Sequence, residues 1–280
     1  MKLMRVGPKG AEKPAMLDAS GTIRDLSSHI AEIDGLALSD EGLAALAALD
    51  PASLPKVDAA VRVGACVGNI SKCISVGLNY SDHAAETNSP IPSEPILFGK
   101  AVTAICGPND DVEKPRASSK LDWEVELCVV IGKRAKYVSE AEAMDHVAGY
   151  AVFNDVSERD FQFRDGGQWL KGKSHDTFGP LGPWLVTKDE IPEPGNLKMK
   201  LTVNGKTMQD GSTSTLIFSV PHVVHYISQF ITLEPGDIIP TGTPPGVAAG
   251  MKPPPWLNVG DVMELEIESL GAQRQMIAAA

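Results

Sequence analysis

The chain has 280 residues, of which 43% are apolar and 22% charged, and a net charge of −11. That length can bury a sizeable core, in one large domain or in a domain with a small appendage. The acidic balance without a basic cluster excludes nucleic acid as an expected partner, and the absence of any apolar run of about 18 residues excludes a membrane span.

Residues 1–7 lack the apolar stretch of a signal peptide. Cys66, Cys73, Cys106 and Cys128 form no close pair, so reduced thiols and a cytoplasmic setting are expected. Residues 1–70 read as a small N-terminal α/β module. Strands are expected at 1–6 and 15–17, joined by Gly7-Pro8-Lys9-Gly10, with an Ala/Leu-rich helix over 40–49 that Asp50-Pro51 ends. Pro55 opens a linker. Over residues 71–280, short β-like runs alternate with Gly/Pro turns at 74–77, 96–98, 124–131, 149–153, 184–186, 197–203, 237–239 and 262–267. Asn204-Gly205 is a hairpin turn signal. Within residues 71–280, helices are expected at 140–146 and 220–230, besides a short one near 81–86. The reading is a β-rich α+β fold.

Candidate chemistry begins at Asn79-Tyr-Ser-Asp-His-Ala-Ala-Glu86. If Ser81 or Asp82 caps a helix there, His83 and Glu86 stand at i and i+3 on one face, where the carboxylate would orient the imidazole as a general base. The alternative is a surface pair with no role. Next, Glu124 and Glu126 lie two residues apart in an apolar run, and Asp155 ends another. Residues i and i+2 of a strand face the same side, and two like charges among aliphatic side chains need a neutralising cation. Hard oxygen donors suit Mg²⁺, Mn²⁺ or Ca²⁺. A bare Glu-x-Glu pair is more often a solvated edge. The aliphatic flanks and Asp155 shift the reading towards metal.

Gly167-Gln-Trp-Leu-Lys-Gly-Lys-Ser174 spells the phosphate-binding pattern GxxxxGK[ST]. That pattern works only between an apolar strand and a helix. Here a polar stretch precedes it and His175-Asp-Thr-Phe-Gly-Pro-Leu-Gly-Pro follows, so nucleotide binding is not expected. Its lysines remain candidates for stabilising negative charge near the acidic residues. The turn residues 240–246 could bind a carboxylate through backbone amides and threonine hydroxyls, or be no more than tight turns. His222 and His225 read as helix packing or surface residues.

Six segments in order together resemble the fumarylacetoacetate hydrolase family: Gly77-Leu-Asn-Tyr-Ser-Asp-His-Ala-Ala-Glu86, Pro95-Ile-Leu-Phe-Gly-Lys100, Asp122-Trp-Glu-Val-Glu-Leu127, Gly149-Tyr150 with Asn154-Asp-Val-Ser-Glu-Arg-Asp160, Lys171-Gly-Lys-Ser-His-Asp-Thr-Phe178, and Gly236-Asp-Ile-Ile-Pro-Thr-Gly-Thr-Pro-Pro-Gly-Val247. The N-terminal module resembles that of members hydrolysing 2,4-diketo-3-deoxy sugar acids. The resemblance implies a mixed β-roll catalytic domain over 71–280, a homodimer, and Mg²⁺ or Mn²⁺ held by Glu124, Glu126 and Asp155. It implies a catalytic set of His83, Glu86 and Lys173, with the His83–Glu86 pair on a mobile segment. Arg159, Gln162 and Thr243 would bind substrate. Leu78 departs from an arginine carried by some acylpyruvases, and the insert 163–169 differs among subfamilies. The implied activity is hydrolysis of a 2,4-diketo acid of the acylpyruvate type to pyruvate and a carboxylic acid. The same platform supports maleylpyruvate or fumarylpyruvate hydrolysis, oxaloacetate decarboxylation, 2-oxo-dienoate isomerisation and ureidoglycolate lysis. A non-catalytic metal- or sugar-acid-binding protein is the rival from another class.

Overall fold

The structure is a computed structural model that describes residues 1–280 apart from the side chain of residue 165. Its centre is the strand Val125–Ile131, buried along its whole length. A strand covered on both faces reads as an unbroken apolar run. The period of two then sends its side chains into separate cores. Val125, Leu127, Val129 and Ile131 pack with Met199, Leu201, Met263 and Leu265 of a second sheet. Cys128 and Val130, on the opposite face, pack with Leu3, Leu26, Ile33 and Leu38 from the N-terminal residues.

Among the described residues, ten strands form the first sheet. From one edge its order is Ile23–Asp25, Lys13–Leu17, Lys2–Val6, Gly179–Thr187, Val147–Asn154, Val125–Ile131, Ile238–Pro240, Cys73–Gly77 and Ile96–Lys100, with Ile105–Cys106 paired alongside Gly179–Thr187. The N-terminal residues enter this sheet through Lys2↔Val186 and Leu3↔Leu185. The second sheet has five strands among the described residues, in the order Lys206–Ser212, Lys198–Val203, Val262–Ile267, Gly271–Ala279 and Val112–Lys114. Val262–Ile267 alternates buried and solvent-facing residues, as a sheet packed on one side requires. The Asn204-Gly205 turn joins its first two strands, with both residues at positive φ. The fold is α+β and rich in sheet, as expected.

Several elements differ from the sequence expectation. Residues 140–146 give only a 3₁₀ turn, Ala143–His146. The expected 184–186 strand is part of the longer Gly179–Thr187. Two helices appear where none was expected, Arg159–Gly167 and Trp169–Lys173. The first is capped by Glu158, whose carboxylate accepts from the Phe161 amide at 2.7 Å. The insert 163–169 falls across these two helices, and within it the side chain of residue 165 lies outside the described residues. All four cysteines are free and buried, and burial pushes the Cys66, Cys73 and Cys106 thiols up to about 12. Among the described residues, no helix is long and apolar enough to cross a membrane.

Candidate active site

The adjacent strands Val125–Ile131 and Val147–Asn154 both run out at one end of the first sheet. Glu124 precedes the first, Glu126 lies on it, and Asp155 follows the second. The Asp155 amide donates to the Glu124 carbonyl at 2.9 Å, which locks the two strand ends together. One carboxylate oxygen from each of Glu124, Glu126 and Asp155 falls within 4.8 Å of the others. All three residues are buried.

Three buried cations surround this acidic floor. Lys173 Nζ bridges Glu124 Oε2 at 2.8 Å and Asp155 Oδ2 at 2.9 Å. Lys100 Nζ donates to the other Asp155 oxygen. Arg159 spans Asp122, through Nε at 2.8 Å, and Glu124, through a terminal nitrogen. Its remaining nitrogen reaches Gln162 Oε1 at 3.0 Å. Four buried carboxyl groups thus meet three buried cations, and the residue left over is Glu126. It forms no ion pair among the described residues and accepts a hydrogen bond from the Gly242 amide at 2.9 Å.

The electrostatics follow from this arrangement. Burial acts to raise the Glu124 carboxyl, but Arg159 and Lys173 overcome it and hold the group at about 2. Burial raises the Glu126 carboxyl well above the usual range, and the neighbouring Asp155 and Glu124 push it further. The two lysines also diverge. Burial lowers the Lys100 ammonium despite Asp155, whereas Asp155 and Glu124 together raise that of Lys173 above the usual lysine value.

A divalent cation fits here. The donor set is three carboxylates, the hard oxygen chemistry of Mg²⁺ and Mn²⁺. Glu126 is a buried acid whose charge has no cationic partner, and a carboxylate oxygen bonded to a lysine keeps a second lone pair.

The helix Ser81–Glu86 brings up the second half of the site. It starts at Ser81 with Tyr80 as N-cap and no side-chain cap, so neither Ser81 nor Asp82 acts as expected. Asp82 instead accepts from the His83 amide at 2.9 Å. The predicted i, i+3 geometry is present, with His83 Nδ1 2.9 Å from Glu86 Oε2. Glu86 Oε1 accepts from the Gly246 amide at 3.0 Å. Gly246 sits at φ +106, where a Cβ would lie 1.9 Å from the Met208 carbonyl, so only glycine lets this turn close. The segment 242–249 therefore serves several partners at once. Gly242 binds Glu126, Gly246 binds Glu86, and the amides of Ala248 and Ala249 bind Asp122 at 2.7 and 3.1 Å.

A cavity of about 250 Å³ opens over these groups, bordered by His83, Glu124, Glu126, Arg159, Gln162, Lys173 and Thr243. The nine residues that the family resemblance assigns to the site all cluster here. Glu86 and Asp155 stand behind the lining, bonded to His83 and Lys173 respectively. Thr243 borders the cavity, but its hydroxyl donates to the Val125 carbonyl and accepts from Gln209, each at 2.8 Å, so that hydroxyl is held by the framework. The 167–174 match does not form a phosphate loop. Its second half is the helix Trp169–Lys173, and its final lysine is turned onto carboxylates. His222 and His225 lie on the helix Val220–Ser228, away from this lining.

Sequence reading missed Lys100 and Asp122. Both stood inside segments already singled out. The available signals were a lysine closing the apolar strand Ile96–Lys100, and an acid two residues before Glu124.

The sequence pattern of the fumarylacetoacetate hydrolase C-terminal domain matches residues 72–278. A Burkholderia multivorans protein named only as a hydrolase is 57% identical over 281 residues, covering all of both chains. The crystal structure of 2-hydroxyhepta-2,4-diene-1,7-dioate isomerase from Mycobacterium marinum is 34% identical with a TM-score of 0.75, covering 100% of this chain and 98% of that one. Maleylpyruvate hydrolase from Sphingobium, in complex with manganese and pyruvate, is 28% identical with a TM-score of 0.83 and full coverage of both chains.

Proposed function

This chain belongs to the fumarylacetoacetate hydrolase family, and on that premise we propose that it is a Mg²⁺- or Mn²⁺-dependent hydrolase. It would cleave the C3–C4 bond of a 2,4-diketo acid to pyruvate and a carboxylic acid. The observation that carries this reading is the convergence of three carboxylates, a His–Glu pair and a buried lysine on one cavity. The manganese and pyruvate bound by the maleylpyruvate hydrolase support it.

Charge balance favours an anionic substrate. Without a metal, a protonated Glu126 leaves three carboxylates against three cations. With a divalent cation bound and Glu126 ionised, the floor carries one positive charge in excess. A single carboxylate offsets it.

Glu124, Glu126 and Asp155 would hold the cation. When bound, it would supply Lewis-acid polarisation at the carboxylate and ketone oxygens of an α-keto acid. The chain's own residues do the rest. Glu86 fixes Nδ1 of His83 and so leaves Nε2 as the nitrogen available to water. His83 takes a proton from water, and the resulting hydroxide bonds to C4. The C3–C4 bond then breaks, its electron pair passing to C3 and the pyruvyl oxygen. The hydroxyl stays with the acyl group as the acid, and the proton is delivered to C3 to complete the methyl of pyruvate. Lys173, already raised above its usual range, stays cationic and stabilises the negative charge as it develops. Arg159, Gln162 and Thr243 border the cavity and would position the substrate, Thr243 by shape, since its hydroxyl is held by Val125 and Gln209.

The test is pyruvate release from a panel of 2,4-diketo acids with and without Mn²⁺. Metal-dependent release of pyruvate and an equimolar acid is expected. Isomerisation or loss of CO₂ without C3–C4 cleavage would assign the site to another reaction of the family.

A further inference from the structure

Beyond the acidic floor, the lining of the cavity is mostly apolar and contains Leu78, Ile96, Phe98, Phe163 and Trp169, with Thr87 and Ser89. Trp169 is seated by its surroundings. Its ring meets Phe98 edge-on at 5.0 Å between centroids and Phe163 at 6.4 Å. It packs so closely over Gly77 that a Cβ there would lie 2.6 Å from the ring. Trp169 and Lys173 are the two ends of one short helix, four residues apart and so on one face. That helix contributes Lys173 to the floor and Trp169 to the wall.

Among the described residues lining the cavity, the cations are Arg159, Lys173 and, when protonated, His83. Arg159 is taken up by Asp122, Glu124 and Gln162, and Lys173 by Glu124 and Asp155. His83 is paired with Glu86. Lys173 does lie 5.2 Å from the centre of the Phe98 ring, so the wall adjoins the floor. Its ammonium is nevertheless already shared between two carboxylates. Two of the hydroxyls bordering the cavity are likewise engaged: Thr87 Oγ1 lies 3.0 Å from both the His83 carbonyl and Ser89 Oγ, and Thr243 Oγ1 is held by Val125 and Gln209. The site therefore has a charge for one carboxylate and none for a second.

We propose that the acyl end of the substrate is neutral with an apolar terminus, packed against Phe98 and Trp169, and that dicarboxylic diketo acids are rejected. This deepens the hydrolase reading and rests on it for the position of the α-keto acid end. The physical reason is that a carboxylate placed against this wall loses water and gains no partner, whereas a methyl group in the same place loses nothing.

The test uses two compounds of equal chain length, 2,4-dioxoheptanoate and 2,4-dioxoheptanedioate, which differ only in a terminal methyl or carboxylate. With the full-length Mn²⁺-loaded protein, kcat/KM is expected to favour the monocarboxylate by about 100-fold or more. Equal rates, or preference for the dioate, would overturn the proposal while leaving C–C hydrolysis standing. Binding of the same pair, read from the shift in Tm, keeps the two readings separable. If neither compound yields pyruvate, the hydrolase reading fails, but tighter binding of the monocarboxylate still supports the wall and tighter binding of the dioate sinks it. Trp169→Arg, checked for folding by its Tm, should narrow the wild-type preference by about tenfold or more, since it supplies the missing cation. An unchanged preference in a folded variant would count against Trp169 as the determinant.

Discussion

On the floor of the cavity, carboxylates at the ends of two central strands meet cations brought in from residues 100, 159 and 173, so position is set by charge. On the wall, Gly77, Phe98 and Trp169 meet by shape alone. Floor contacts are directional and interdependent: removing one partner of a buried pair strands the other, at about 3–5 kcal/mol. Wall contacts are graded, since an aromatic pair contributes only about 0.5–1.5 kcal/mol beyond its burial. A protein built this way can change its substrate without rebuilding its chemistry.

The contrast breaks most visibly at the cation. Stripping divalent metal should bring pyruvate release below detection, with recovery on adding Mg²⁺ or Mn²⁺. Full activity in protein verified as metal-free by elemental analysis would remove the floor from the reaction. His83→Ala comes next. It should lower kcat by about 100-fold or more, the scale of a general base, and leave the Mn²⁺ Kd unchanged. Near-normal turnover would refute the assignment of the base. Gly77→Ala probes the other region. The added methyl must displace the Trp169 ring, and KM should rise several-fold, about 1 kcal/mol of lost contact, with kcat nearly intact. A fall in kcat instead would show that the wall and the floor are not separable.

The smallest effect lies within the floor itself. In metal-free protein, the raised Glu126 carboxyl stabilises the fold below its ordinary value of 4.5, and that contribution is lost as pH rises through the folded value. Glu124 has the opposite sign. Held at about 2, it stabilises the fold above 4.5 and loses that contribution as pH falls towards 2. The Tm of metal-free protein should therefore decline from mildly acidic to higher pH, and Mn²⁺ should reverse the decline by replacing the Glu126 proton. A Tm that is flat with pH and insensitive to Mn²⁺ would contradict the pairing scheme.

What could be read from the sequence was local in origin. The Glu-Val-Glu period, the His83–Glu86 spacing and the Asn204-Gly205 turn each depend on residues a few positions apart. The link between Lys100 and Asp155 crosses 55 residues, and no local pattern announces it. The helix Arg159–Gly167 escaped notice because it ends in two glycines and shows almost no amphipathic face. The strand Gly271–Ala279 was hidden differently. Its inward positions include Gln273 and Gln275, buried polar residues where an apolar alternation would be sought. Gln273 satisfies itself on the Val152 and Gly182 carbonyls, at 2.8 and 2.9 Å.

The pairing of Lys2–Val6 with Gly179–Thr187 has a consequence in time. The strand Lys2–Val6 finds its inner neighbour only after residue 187 has been made. At about 5–20 residues per second, that delay is on the order of ten seconds or more. During it, Leu3 and Met4, buried in the finished protein, have no sheet to cover them except the hairpin with Lys13–Leu17. The acidic floor waits as well, since Lys173 is made just before that strand. Newly made chain therefore carries Glu124 and Asp155 for on the order of a second or more before the lysine that will bridge them exists.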